Sequence, residues 1–332
     1  MKGAVVAKPK LVLSQDASEK LFRILGSLEV LFVSEDLGGE FFLANAWRIP
    51  KTKISSIGRI AEKNYPLRFD EFISKVANKD LDVVITVGGD GIASYTATAM
   101  AIISQKEGFP KPMGILGFPA GTANVGPIVR ANNDEHSLSK NIGLDAIEVS
   151  CAGRILGYGF NDVIIGRTFL GTADGKWVNL DARAMAEKGV AVQACMQDFP
   201  VVEANYKIFL NEKEATGLPH GQIKQICIST LHQESLYGRA IIGGLVEADG
   251  FRHPAAIALL DKVSNDARPE TWGVKSFRTT TQLCFDEGDL VELTGISKDA
   301  CVIIDGNPFV IEGDSVALRC VPNTVLVYGN WR

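Results

Sequence analysis

The sequence predicts an α/β domain built on a parallel sheet, followed by a β-rich, sandwich-like domain. Three observations predict it. Two buried-strand patterns, Val83–Val87 and Met113–Gly117, each run into a glycine loop and bracket a helix-like stretch, the grammar of a βαβ unit. Beyond about residue 145 the chain changes to many short strand-like runs separated by turn residues. The length of 332 residues suits about two domains of roughly 150 residues. The expected boundaries are 1–145 and 146–332, with the C-terminal tail free to return to the first domain.

Each element has its own reason. Lys10–Leu13 reads as a short apolar strand. Asp16–Leu25 reads as a helix capped by Asp16 or Ser18. Val30–Val33 reads as a strand, and residues 35–65 show no clear period. Asp70–Ala77 reads as a helix, with Phe69, Phe72, Ile73 and Val76 on one face and Asp70 at the cap. Val83, Val84, Ile85, Thr86 and Val87 are all β-branched, which suits a parallel strand buried on both faces. After Gly88-Gly89-Asp90-Gly91, the positions Ile92, Tyr95, Ala99, Ile102 and Ile103 form one apolar helix face. In the second half, Ala146–Ser150, Ile155–Phe160, Val163–Ile165, Tyr206–Leu210, Gln225–Ser229, Ala240–Ile242, Gln282–Phe285, Val291–Leu293, Cys301–Ile304 and Val316–Val321 read as strands. Asp305-Gly306-Asn307-Pro308 and Glu312-Gly313-Asp314 read as turns between them.

Composition narrows the function classes. Apolar residues make up 46% and charged residues 22%, ordinary for a folded chain with a large core. The net charge of −5, and tryptophans not interleaved with basic residues, argue against a nucleic-acid partner. The six cysteines form no CxxC pair and the four histidines no HxxxH or HExxH, so no zinc site is expected and the metal ligands stay unassigned. No run approaches the ~20 apolar residues that span a bilayer. MKGAVVAKPK holds an apolar stretch too short for a signal peptide, so a cytoplasmic protein without a membrane span is expected.

Three loops can carry chemistry. In Gly88-Gly89-Asp90-Gly91 the missing side chains let backbone N–H groups approach an anion, and a helix start follows. Asp90 beside a phosphate would ligate Mg²⁺ or act as a general base; the alternative is a plain βα turn with an Asp cap. Gly121-Thr122-Ala123-Asn124 ends the next strand. Adjacent parallel strands bring their carboxyl ends to one crevice, so Thr122 and Asn124 can meet a phosphate or ribose there, or simply make a turn. Asn161-Asp162 interrupts an apolar stretch and needs either partners or a wet cleft; a β-turn is the alternative. Lys8, Lys10 and Arg167 are weaker candidates for phosphate contacts, and Asp305 is read as a local turn residue.

ITVGGDG, PAGTANV and GFNDVII, in that order, resemble the NAD kinase and diacylglycerol kinase superfamily, most of all its NAD kinase-like branch associated with acetoin catabolism. DGNPFVIEGDSVALRCVP resembles the closing hairpins of bacterial lipid kinases. The resemblance is strong over residues 82–166 and patchy beyond. It implies an NAD kinase-like fold with the active site between an α/β nucleotide-binding domain and a β-rich domain. It places Gly88, Gly89, Asp90 and Gly91 at the phosphates and the reacting hydroxyl, with Asp90 catalytic. It puts Thr122 and Asn124 in the nucleotide pocket and Asn161 and Asp162 against the acceptor or its adenosine. The implied activity is ATP-dependent phosphorylation of a hydroxyl on NAD or a related acceptor, with Mg²⁺, in a homo-oligomer formed through the β-rich domain. The chain departs from the family where Ile92 replaces the usual Thr after GGDG, and no TPTGSTAY-type segment is visible. A non-catalytic nucleotide-binding accessory protein and a lipid kinase remain the alternatives.

Overall fold

The computed structural model of the chain describes residues 1–8, 11–120, 126–129, 138, 141–173, 176–195, 199–219, 222–231, 253–264 and 280–329. Two compact units emerge: Met1–Leu144 with Asn323–Arg332, and Asp145–Pro322.

The first unit contains β1 (Lys2–Ala7), α1 (Gln15–Leu25), β2 (Val30–Val33), α2 (Gly39–Ala44), β3 (Lys53–Ser56), α3 (Tyr65–Ala77), β4 (Val83–Gly88), α4 (Asp90–Lys106) and β5 (Gly114–Pro119). The strands run parallel in the order β3-β2-β1-β4-β5. Every residue of β4 is buried, as a central strand covered on both faces requires. Val83, Ile85 and Val87 share a cluster with Leu21, Phe22, Ile24 and Leu25 of α1 and Phe42 of α2. Val84 and Thr86 point the other way and are equally buried, where α4 packs on β4 and α3 packs on α4.

The first strand is not Lys10–Leu13. It is Lys2–Ala7, and Leu11–Leu13 is irregular. Neither Asp16 nor Ser18 caps α1; Ser14 does, its hydroxyl accepting from the Ala17 N–H at 3.2 Å. Asp70 lies inside α3, which begins five residues earlier behind Asn64, with Pro66 in its first turn.

The second unit is built from β6 (Asn141–Cys151), β7 (Arg154–Gly159), β8 (Val163–Gly166), β9 (Thr168–Ala173), β10 (Lys176–Asp181), α5 (Ala182–Lys188), β11 (Val202–Leu210), β12 (Lys213–Glu214), β13 (Gln225–Thr230), β14 (Ala255–Leu260), β15 (Thr280–Phe285), β16 (Val291–Ile296), β17 (Cys301–Ile304), β18 (Asn307–Val310) and β19 (Ser315–Tyr328). A six-stranded antiparallel sheet runs β15-β14-β13-β8-β17-β18. A second layer holds β12-β11-β16 and the start of β19, with β6 and β7. One core lies between the layers. Into it point Val163 and Ile165 of β8, Ile226 and Ile228 of β13, Ile257 of β14 and Val302 of β17, meeting Ile208, Val291, Leu293 and Val316.

The alternate residues Ile164, Cys227, Ala256, Ala258 and Ile303 bury the opposite face under Phe169, Leu180 and Ala182 from β9, β10 and α5. The six-stranded sheet is therefore covered twice. β9, β10, α5 and β14 are elements that the sequence reading did not contain, and Ala240–Ile242 lies outside the described residues. The last residues return to the first unit, where Leu326 and Val327 of β19 pair in parallel with Gly114 and Ile115 of β5.

Ile257 has no exposed surface and sits between the two layers. Ile257→Ala is expected to cost about 2–5 kcal/mol in urea unfolding, whereas Trp47→Ala, at a side chain 76% exposed, is expected to stay within about 0.5 kcal/mol. An ion cluster in the first unit predicts a pH effect. Lys111 Nζ lies 3.2 Å from Asp80 and 2.8 Å from Asp82, and the Lys2 N–H donates to Asp82 at 2.7 Å. Burial pushes Asp82 up, but the Lys111 ammonium and the Lys2 N–H outweigh it and hold the carboxyl below its ordinary value. Asp80 is lowered too, by Lys111 and then Lys2. A depressed carboxylate stabilises the fold above its unfolded pKa and loses that contribution as pH falls through the folded one. The stability gap between the parent chain and Lys111→Met is therefore expected at neutral pH and to close below about pH 4; a gap that persists into acid would point to lost packing instead.

Candidate functional site

Strand order locates the site in the first unit. From β1 the sheet grows one way through β2 and β3 and the other way through β4 and β5. Right-handed crossovers then place α1 on one face and α4 on the other, leaving a crevice outside the carboxyl ends of β1 and β4, where open α/β sheets bind ligands. Lys8 follows β1 there, and Gly88-Gly89-Asp90 ends β4 there.

Asp90 is the first residue of α4, behind Gly89 as N-cap in an extended conformation (φ −99°, ψ −174°). A carboxylate in the first helical turn is favoured by the helix dipole. Its Oδ1 accepts the Gly126 N–H at 3.0 Å, so the chain leaving the second loop is tied to the first. A Cβ at Gly126 would come within 2.8 Å of that Oδ1, so the close approach requires glycine. The strand ends are linked in the same way: the Ala120 N–H donates to the Gly88 carbonyl at 2.9 Å. Ile92, where the family resemblance leads one to expect Thr, lays its Cδ1 against Gly88, 2.9 Å from where a Cβ would stand. Gly91 is half-buried in the same helical turn. Thr122 and Asn124 lie outside the described residues, as does Lys10.

In the second unit Asn161 and Asp162 form the turn between β7 and β8, only 7% and 6% exposed. Their partners come from the sequence-distant Asp305. Its carboxylate accepts the N–H groups of Phe160 (3.0 Å), Asn161 (2.8 Å) and Asp162 (3.0 Å), and its own N–H donates to the Asp162 carbonyl (3.0 Å). Asp305 and Gly306, with φ of 47° and 80°, make the two-residue turn between β17 and β18. Asp305 is thus both a turn residue and the anchor of the 160–162 backbone, a role that local reading missed. The Asn161 amide donates to Asp162 Oδ2 at 3.2 Å, and the Ser229 hydroxyl donates to the Asn161 carbonyl at 2.8 Å. Burial, then the charge of Asp162, pushes the Cys227 thiol far up, so it stays a neutral core group.

Arg167 is held within the second unit. Its guanidinium stacks over Phe199 at 5.2 Å and meets Pro200 O, Ser297 Oγ and Asp299 at 3.3–3.4 Å. Among the described residues no three His, Cys, Asp or Glu side chains form a metal cage. A cavity of about 420 Å³ between Met100, Phe109, Lys111 and Leu326 opens at the start of β5, the opposite edge of the sheet from Gly88–Asp90. No helix among the described residues is long and apolar enough to cross a membrane.

Residues 48–139, which include both glycine loops, match the diacylglycerol kinase catalytic domain family. An "uncharacterized protein" of Archaeoglobus fulgidus is 26% identical over 300 residues, covering 87% of this chain and 88% of its own. Among solved structures, yeast NADH kinase complexed with NADH aligns at TM-score 0.51 and 13% identity, over 98% of this chain and 82% of that one. An NAD kinase from Archaeoglobus fulgidus in complex with ATP aligns at TM-score 0.46 and 13% identity, over 99% and 94%. The fold is NAD kinase-like: a parallel α/β region followed by an antiparallel β-rich region. The family match is confined to residues 48–139, and the likeness to the yeast kinase is one of fold.

Two stability measurements test this geometry. Gly126→Ala is expected to cost roughly 1 kcal/mol or more, and most of that cost should vanish in an Asp90→Ala background, where the opposing carboxylate is gone. Asp305→Ala strands three buried N–H groups and is expected to cost about 2–4 kcal/mol, with Asp305→Asn in between. A loss under about 0.5 kcal/mol for Asp305→Ala would remove it as the anchor.

Proposed function

We propose that the chain is an ATP-dependent kinase that phosphorylates a hydroxyl of NAD or a related acceptor. The observation that carries this reading is the Asp90 carboxylate, fixed by Gly126 beside a glycine loop at the crevice between β1 and β4. The match to a kinase catalytic domain over residues 48–139 supports it, as does a fold shared with a kinase solved with NADH. In the proposed reaction the acceptor oxygen attacks the terminal phosphorus of ATP, an O–P bond forms, and ADP leaves. Asp90 receives the hydroxyl proton, and the amides of Gly88, Gly89 and Gly91 hold the transferred group. Thr122 and Asn124 serve the nucleotide, and Asn161 and Asp162 serve the acceptor. One carboxylate together with phosphate oxygens and water is a donor set that suits Mg²⁺, which when bound would neutralise phosphate charge. The same reading makes the protein cytoplasmic and homo-oligomeric.

Two specific observations favour other readings. Ile92 packed on Gly88 removes a hydroxyl next to the phosphates and favours an accessory protein that binds nucleotide without turnover. The diacylglycerol kinase family match favours a lipid hydroxyl as acceptor. Incubation with Mg-ATP and NAD, with NADP measured and Asp90→Ala as control, separates them. NADP formed by the parent chain and lost in Asp90→Ala is the expected result. ADP release only with diacylglycerol vesicles would move the acceptor to a lipid. A thermal shift with ATP but no ADP release with any acceptor would leave the accessory reading.

A further inference from the structure

We infer that Lys8 is a phosphate-binding residue, its ammonium held in advance across the end of β4 where the anionic part of a nucleotide would lie. The inference rests on the kinase reading above and adds to it a residue outside the glycine loops. Lys8 is half-buried and stands one residue beyond β1. Its Nζ donates to the carbonyl of Ala120, one residue beyond β5, at 2.8 Å. β1 and β5 pair with β4 from its two sides. The side chain therefore reaches over the carboxyl end of β4, where Gly88-Gly89-Asp90 leaves the sheet. Its own N–H points to the Val87 carbonyl at 3.4 Å, which fixes the root of the side chain at the same place.

The chemistry of this bond matters. Its partner is a neutral carbonyl, so the bond orients the ammonium without cancelling its charge. Lys2 and Lys111, by contrast, meet carboxylates. An ammonium carries three N–H donors, and the carbonyl takes one. Asp90 repels a phosphate brought to this edge, and a fixed cation on the same edge offsets that repulsion. Ordering a free lysine side chain costs rotamer entropy. Here the Ala120 carbonyl has already ordered it, so binding a phosphate loses less.

The test uses the full chain with ATP, inorganic tripolyphosphate and adenosine as probes, by calorimetry at two salt concentrations. Lys8→Met keeps the apolar stem and removes the charge. Lys8→Gln can still donate to Ala120 and serves if the methionine variant does not fold. Either is expected to weaken ATP and tripolyphosphate binding about ten- to hundred-fold, to leave adenosine binding unchanged, and to flatten the salt dependence. Lys8→Arg should recover part of the loss. If the parent chain binds ATP and both folded variants bind it equally well, Lys8 only ties β1 to β5, and this inference fails while the kinase reading stands. If the parent chain binds neither ATP nor tripolyphosphate, the kinase reading fails and takes the inference with it.

Discussion

The handedness of βαβ crossovers is the constraint on which the first unit depends. Each connection between parallel strands turns the same way. A sheet that grows outward from β1 in both directions must therefore put α1 and α4 on opposite faces. The reversal leaves the carboxyl ends of β1 and β4 without a helix over the seam. The sequence loads that seam with Lys8, two glycines and Asp90, and with α4 starting at Asp90. The remaining contacts at this edge hold it in register. Gly88 takes an N–H from Ala120, Asp90 takes one from Gly126, and Lys8 donates to the Ala120 carbonyl.

The second unit solves a different problem with one carboxylate. The turn between β7 and β8 is buried, and a buried turn must satisfy its backbone N–H groups. Asp305 accepts three of them from a hairpin tip on β17 and β18. The same turn carries Asn161 and Asp162, so their positions are set by the Asp305 hairpin and by Ser229. The strands around them are almost wholly apolar, with residues alternating between two cores.

What could be read in advance follows from how local each signal is. β4 and the loop after it were legible because five β-branched residues run into glycines, a pattern few other structures accept. α4 followed from its spacing, and Asp90 from the loop. β1 is hidden because Gly-Ala-Val-Val-Ala is short and closes on Lys8-Pro9, so the local strand signal falls on Lys10–Leu13 instead. β14 is Ala-Ala-Ile-Ala-Leu-Leu, half alanine, and its strand form comes from pairing with β13 and β15 rather than from propensity. The partners in the site were illegible for the same reason. The bond from Gly126 to Asp90 and the three bonds to Asp305 join residues far apart in sequence. Locally, Asp305-Gly306 reads as nothing more than part of a turn.

β19 begins among antiparallel strands of the second unit and ends as the parallel neighbour of β5 in the first. A ribosome therefore delivers the first unit incomplete. Until the end of β19 emerges, β5 offers unpaired N–H and C=O groups to any passing strand. The α/β unit is synthesised before most of the β-rich unit and cannot be finished before it. Its final strand reaches it only after the whole β-rich unit has been made.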